Sequence, residues 1–194
     1  MTTTPRHVQV VVAFDFSATA EFALQRALEI ACRAPQHVLH VIAALDPRHG
    51  LAALETRDVD WQYADRVQKL VVEHVQAALH GRASEGDVEF FVHARIGHAA
   101  DEILQLAQQV GADLIFVGSH GATGLERLLL GSTSSRVVAE AKCPVMVARA
   151  KGYPNVDLLR VVDGPSEHKP YHPPLRFSYV DRSAITRPNE WPIS

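Results

Sequence analysis

Short apolar runs alternate with helix-like patterns through the first 149 residues of the chain. The runs are rich in Val, Ile and Phe, and their lengths are typical of buried parallel strands. They cover residues 8–14, 38–45, 87–94, 114–117 and 144–148. Between them, apolar residues recur at helical spacing, most clearly over residues 67–79. This alternation predicts an α/β domain with a five-stranded, parallel, doubly wound sheet and helices on both faces.

The stretch from residue 113 to residue 138 reads DLIFVGSHGATGLERLLLGSTSSRVV. Glycines follow the apolar run at positions 118, 121, 124 and 131, and Gly131 is followed by Ser132, Thr133, Ser134 and Ser135. Glycine lets the backbone come close to a ligand. The hydroxyls and free N–H groups of a helix start suit an anion, above all phosphate. The stretch therefore predicts a strand, a phosphate-binding loop and a helix, in that order.

Asp15 follows the first predicted strand, just as the glycine loop follows the fourth. In sheets of this kind, ligands bind beyond the carboxyl ends of the strands, where the strand order reverses. The fold rule thus puts Asp15 and the loop that begins at Gly118 on one rim of the sheet.

The spacing Gly118-x2-Gly121-x9-Gly131-Ser132 resembles the ATP-binding signature of the universal stress protein family. The resemblance covers residues 5–149. It also includes Asp15-x-Ser17, residues 111–115 and the closing Cys143-Pro144-Val145. The chain departs from many members after the third strand, where it has Gly97-His98-Ala99 instead of an acidic residue and a proline.

The resemblance implies an ATP site, and its residues are written here as expectations. Asp15 would face the ribose or a Mg²⁺ ion that arrives with ATP, and the backbone of Val41 would meet adenine. Gly118 and Gly121 would line the ribose and phosphates, while Gly131 and Ser132 hold the phosphates. The other expected binding residues are Thr133 and Ser134 at the helix start and His120, which lies inside the loop and contacts phosphate or faces water.

Composition limits the function classes. A net charge of −3 gives no electrostatic case for nucleic acid or for an anionic membrane. No apolar stretch has the length of a membrane span, and the N-terminus lacks a signal-peptide layout, so we expect a cytoplasmic protein. Cys32 and Cys143 are expected to be buried thiols in a reducing compartment. The chain has no P-loop motif, no Rossmann glycine fingerprint and no evident catalytic triad.

We therefore expect an ATP-binding regulatory or stress-response protein that acts on a protein client the residues do not name. Two alternatives stay open. One is a slow nucleotide hydrolase that uses His120 or Asp15, and the other is a nucleotide-free interaction module that acts through its C-terminal tail. The sequence nominates no secure base for water, so an efficient enzyme is not expected.

Residues 1–149 are expected to form the nucleotide-binding domain, and residues 150–194 an extended tail. The tail holds seven of the eleven prolines, which disfavours long regular elements. It also holds aromatic residues that can anchor it on a surface: Tyr153, Tyr171, Phe177, Tyr179 and Trp191. The last strand follows Pro144 and suits a sheet edge. We expect a homodimer that pairs through this strand, with the tail docked on the partner subunit.

Overall fold

The computed structural model describes residues 7–33, 36–48, 51, 59–80, 82, 88–121, 130–150, 152, 179–181 and 184–185. The chain divides into two compact units, Met1–Lys151 and Gly152–Ser194.

The first unit alternates strands and helices along the chain. Its strands are β1 (Val8–Ala13), β2 (His37–Leu45), β3 (Glu89–Ile96), β4 (Leu114–Gly118) and β5 (Val145–Ala148). Its helices are α1 (Ala18–Arg33), α2 (Trp61–Leu79), α3 (Ala99–Val110) and α4 (Ser132–Glu140). Each apolar run of the sequence is a strand, although the bounds shift by one or two residues.

The five strands form one parallel sheet in the order β3-β2-β1-β4-β5. The chain moves outward from β1 through β2 to β3, and then returns to the other side of β1 with β4 and β5. Right-handed crossovers in the two directions put α1 and α2 on one face and α3 and α4 on the other. The predicted doubly wound sheet is confirmed, and the strand order reverses between β1 and β4.

Strand alternation builds two apolar layers, one on each face of the sheet. On one face, Val10 and Val12 of β1 pack with the buried residues of α1 and α2, including Leu24 and Val71. On the other face, Val11 joins a cluster from β2, β4, α3 and α4, which includes Ile42, Ile115, Ile103 and Val137. The sheet is therefore buried on both sides near its centre.

Helix α2 begins earlier than the apolar pattern predicts, at Trp61 rather than Val67. Its first turn is capped by Asp60, whose Oδ1 accepts a hydrogen bond from the backbone N of Tyr63 at 2.8 Å. Trp61 is 84% exposed. The first turn thus has a large apolar residue facing outward, which breaks the period that marks the rest of the helix.

His40 is one of the few buried polar side chains among the described residues, with 8% exposure. It lies on β2, and its Nδ1 is 3.1 Å from Nε2 of His93 on β3. Burial lowers the pKa of His40, against a smaller opposing effect of Glu89. The pKa of His93 is lowered to about 4, chiefly by burial and to a smaller extent by the electrostatic effects of His40 and Arg95. Both imidazoles are accordingly neutral at pH 7.

The second unit contains an antiparallel pair of short strands, β6 (Tyr179–Asp181) and β7 (Ala184–Ile185). Apart from residues 150 and 152, the rest of the predicted tail lies outside the described residues, and so does its predicted docking on a partner subunit. No helix within the described ranges is long and apolar enough to cross a bilayer. Cys32 and Cys143 are free thiols, and both are partly buried rather than fully buried as expected.

Candidate functional site

The turn between β1 and α1 holds Asp15 at the carboxyl end of the sheet. Phe16 has φ 63°, a left-handed conformation that is costly for a residue with a side chain. Its ring packs against Phe14 at 4.9 Å and His74 at 5.9 Å between centroids, and these contacts stabilise the turn. Asp15 Oδ1 accepts a hydrogen bond from Ser17 N at 3.0 Å. The Asp15 carboxylate is therefore held on a turn with little freedom.

Residues 119 and 120 follow β4 and are tied to the first turn of α1. Thr19 Oγ1 donates a hydrogen bond to the carbonyl oxygen of His120 and accepts one from its backbone N at 3.3 Å. Ser119 N donates to the carbonyl oxygen of Ala148 on β5 at 3.0 Å. Because both neighbours belong to regular elements, the start of the glycine loop has a fixed position on the rim.

The N-terminus of α4 faces this loop. Gly131 precedes the helix and has no side chain to cap it, and the first helical bond runs from Ser135 N to the Gly131 carbonyl oxygen at 2.9 Å. The N–H groups of the three preceding residues have no acceptor within the helix. With the positive end of the helix dipole behind them, they form a ready site for an anion.

The hydroxyls at the start of α4 differ in their availability. Ser132 is exposed. Ser134 is buried, and its Oγ lies 3.2 Å from the carbonyl oxygen of Ser119 and 3.0 Å from that of Gly131. Gly131 N also donates to Ser119 O, at 2.8 Å. Ser134 thus fastens the helix to the loop, and only its N–H is available to a ligand.

His120 presents a buried nitrogen without a partner. Its Nδ1 lies 3.0 Å from Ser119 Oγ, whereas its buried Nε2 has no hydrogen-bond partner within the described part of the chain. A buried polar atom left unsatisfied costs roughly 1–3 kcal/mol, so each such atom calls for an explanation. A ligand in the adjoining crevice would supply one.

The glycines of the loop differ in how closely other atoms approach them. A Cβ at Gly118 would lie 2.8 Å from the backbone N of Ala20, so this glycine is needed for the packing of β4 against α1. A Cβ at Gly121 would lie 3.0 Å from Asp15 Oδ2. At Gly131 the nearest atoms would be 3.5 Å away, an ordinary contact. Among the described glycines of the loop, Gly131 alone leaves room for a side chain.

These elements enclose a crevice at the point where the strand order reverses. It is lined by Ala13, Phe14, Asp15, Ala20, Ile42, Ala44, Ala99, Ile103, Val117, Gly118, His120, Gly121, Gly131, Ser132, Thr133 and Ser134. Of the residues expected from the sequence, all but Val41 line it. The Val41 side chain packs in the core on the opposite face of the sheet, and β2 contributes Ile42 and Ala44 to the crevice instead. A backbone contact from Val41 stays a prediction.

Several lining or anchoring residues escape the sequence pattern. The apolar end of the crevice combines side chains from β2 and α3, which are distant in sequence: Ile42, Ala44, Ala99 and Ile103. Thr19 anchors the loop, whereas Ser17 caps α1, since its Oγ accepts a hydrogen bond from Ala20 N at 3.2 Å. The alternation of side chains along a strand is the one local signal for these residues, because it puts residues 41 and 42 on opposite faces of the sheet.

The residues present fit an adenine nucleotide. The N–H groups at the start of α4 suit phosphate and the apolar end suits a planar base, and His120 belongs to the same lining. A carboxylate beside a phosphate site also favours a bridging cation, and Asp15 could provide one ligand to Mg²⁺. The described residues contain no group of three or more metal-ligating side chains, so phosphate and water would have to supply the remaining ligands.

Comparison with known proteins agrees with this geometry. The chain is 31% identical over 142 residues to Universal stress protein MJ0531 of Methanocaldococcus jannaschii, covering 73% of this chain and 81% of that protein. It is 30% identical over 156 residues to Universal stress protein MJ0577 of the same organism, covering 74% and 95%. A crystal structure of a universal stress protein in complex with cAMP matches with 25% identity and a TM-score of 0.52, covering 74% of this chain and 97% of that one.

A family model matches the same part of the chain. The model described as "Universal stress protein family" covers residues 8–149, which include every strand of the sheet and every residue that lines the crevice. The chain belongs to the universal stress protein family.

Proposed function

We propose that this protein binds ATP, together with Mg²⁺, in the crevice between β1 and β4, and acts as a regulatory stress-response protein. The observation that carries the proposal is the uncapped start of α4, which lines one crevice together with His120, whose buried Nε2 has no hydrogen-bond partner among the described residues. The similar structure with cAMP supports an adenine nucleotide. In this proposal the phosphates lie against Gly131, Ser132 and Thr133, and the base lies against Ile42 and Ala99.

Calorimetric titration with ATP and Mg²⁺ tests the proposal. Gly131→Val fills space that the protein leaves open, so the fold should persist while phosphate is kept from the helix start. Losing hydrogen bonds to a charged group costs about 1.5–3 kcal/mol, or roughly one to two decades of affinity. Gly152→Val is the matched control, since a Cβ there has no neighbour within 4 Å. Equal ATP affinity in both variants would reject this binding mode.

The role of Mg²⁺ has its own test in Asp15→Asn. The wild-type carboxylate attracts the cation but repels bare phosphate. With Mg²⁺ present, the variant should bind ATP more weakly than wild type, and with EDTA it should bind ATP more tightly. If EDTA changes the ATP affinity of the two proteins equally, Asp15 does not bind the cation. The assignment of the phosphate site would not be affected by that result.

Slow hydrolysis is a second candidate, favoured by the unpartnered Nε2 of His120 in the crevice. A neutral imidazole nitrogen can accept a proton from water that attacks a phosphoryl group. His120→Gln should then lower phosphate release by about 10²-fold or more, the usual range for a general base. Phosphate release at the rate of free ATP in water, from the wild-type protein, would leave binding as the sole activity.

We also propose a cytoplasmic homodimer that forms through β5. This strand is at the edge of the sheet, and its Met146 is 42% exposed. An uncovered apolar edge invites pairing with a second copy. The two free cysteines fit a reducing compartment. Light scattering should give about twice the chain mass of 21.3 kDa, and Met146→Lys should halve it; a wild-type monomer at all concentrations speaks against pairing.

A further inference from the structure

Two histidines meet on adjacent strands, outside the lining of the nucleotide crevice. His40 Nδ1 and His93 Nε2 are 3.1 Å apart, and neither residue lines that crevice. His40 is buried beneath the exposed ring of Phe91, which stacks on it at 5.2 Å with an interplanar angle of 11°. The pair therefore lies on a rigid sheet, with one imidazole fixed and the other half-buried.

The hydrogen bonds of His40 fix its tautomer. Its Nε2 lies 2.8 Å from Gln9 Oε1, and a carboxamide oxygen can only accept, so Nε2 carries the hydrogen. Gln9 is itself held on β1, where its backbone N donates to Asp113 Oδ2 at 2.9 Å. In a neutral imidazole the other nitrogen, Nδ1, then has a bare lone pair. Metal-binding histidines are prepared in the same way, with the second nitrogen donating to an oxygen.

We propose that His40 Nδ1 and His93 Nε2 form a binding site for a divalent transition metal ion, of which Zn²⁺ is the first to test. Zinc–imidazole bonds are about 2.0–2.1 Å long, so two nitrogens on one ion at near-right to tetrahedral angles are about 2.9–3.4 Å apart. The observed separation falls within this range. Imidazole nitrogens favour zinc, copper and nickel over Mg²⁺ and Ca²⁺.

The ion replaces the hydrogen that the two rings share. His93 now donates from Nε2 to His40 Nδ1; on binding, its proton moves to its own Nδ1, and both facing nitrogens present lone pairs. The proton stays on His93, so binding requires none to leave the pair. No third His, Cys, Asp or Glu joins them within the described part of the chain, and water would fill the remaining positions. The site is thus open and exchangeable.

The test is a calorimetric titration of the full, EDTA-treated and desalted chain with Zn²⁺, in the absence of nucleotide. Wild type should bind one equivalent, and His93→Gln should weaken that binding at least tenfold. His37→Gln is the control, because His37 lies on β2 with His40 but on the opposite face of that strand. Gln9→Leu removes the acceptor of His40 Nε2 and should weaken binding about tenfold, within the range known for such partners.

Equal titration curves for His93→Gln and His37→Gln would overturn the proposal. A direct readout covers the case in which His93→Gln fails to fold: X-ray absorption of the wild-type zinc complex should show two imidazoles at about 2.0–2.1 Å. Fewer than two imidazoles on the ion would also overturn it.

Discussion

Gly118→Ala should destabilise the fold, because β4 and α1 are in contact at this glycine. A new Cβ would lie 2.5 Å from Thr19 Oγ1 and 2.8 Å from both Ala20 N and the carbonyl carbon of Thr19. Real Cβ atoms essentially never come within 3.0 Å of non-bonded atoms of this kind, so the neighbouring atoms must shift. Two of the three neighbours are backbone atoms of the first turn of α1, which cannot rotate away as a side chain can. The helix has to move as a unit or the strand must bend.

Overpacking of this kind costs about 1–3 kcal/mol. For a chain of this size, each kcal/mol lowers Tm by about 2–4 °C, so a fall of about 2–12 °C is expected. Thermal and urea unfolding followed by circular dichroism measure the loss, and the urea midpoint should fall while the slope stays the same. Thr19→Ala should rescue little, because the two backbone contacts persist.

Gly131→Ala is the matched control for this reasoning. Its Cβ would meet nothing closer than 3.5 Å, and its φ of −59° is open to any residue. The free energy of unfolding should change by less than about 1 kcal/mol, the net of a poorer helix cap and a stiffer unfolded chain. Equal Tm values for Gly118→Ala and wild type, or an equal loss in both variants, would refute the packing argument.

Burial, and to a smaller extent Asp113, raises the pKa of the Cys143 thiol, so less of it is the reactive thiolate. In a Cys32→Ala background at pH 8, iodoacetamide should therefore react several-fold more slowly with the native chain than with the urea-unfolded chain. Mass spectrometry measures the two rates, and equal rates would contradict this prediction. The pKa of His93 is lowered from its ordinary 6.5 to about 4, so the unfolded state takes up the proton more readily; in EDTA, stability should be full above about pH 6.5 and fall as the pH drops towards 4. His93→Gln should flatten that part of the curve of Tm against pH, and an unchanged slope would contradict the assignment. Truncation after Arg149 should leave ATP affinity unchanged in calorimetry, because every residue that lines the crevice precedes residue 135; a tenfold loss would show a contribution from the removed segment.

The fold followed from sequence because its main signals are local. Each apolar run became a strand, and α3 ends at Gly111, whose φ of 63° is the left-handed conformation that glycine adopts readily. The start of α2 was predicted too late, although Asp60 was available as a cap and the buried Tyr63 and Ala64 continue the helical period back from Val67. Trp61 obscures this signal, since it is a large apolar residue that faces outward.

The site was predicted less completely, for a physical reason. The rule on carboxyl ends brought Asp15 and the Gly118 loop to one crevice, as the structure has them. The bonds of Thr19 to His120 join residues about a hundred positions apart, and nothing local in the sequence encodes them. The apolar end depends on which face of β2 meets α3, and that choice rests on tertiary packing. The contact of His40 with His93 likewise exists only once β2 and β3 pair.

The strand order also governs when the crevice can form during synthesis. β1 leaves the ribosome first and pairs with β2, but its other side stays open until residues 114–118 have emerged. The helix start that faces the crevice comes later still, at Ser132. Until β4 emerges, the central strand is therefore exposed along one edge, which is a surface prone to misassembly. Nucleotide can assist folding only after this point, so it would stabilise the finished domain rather than guide its early stages.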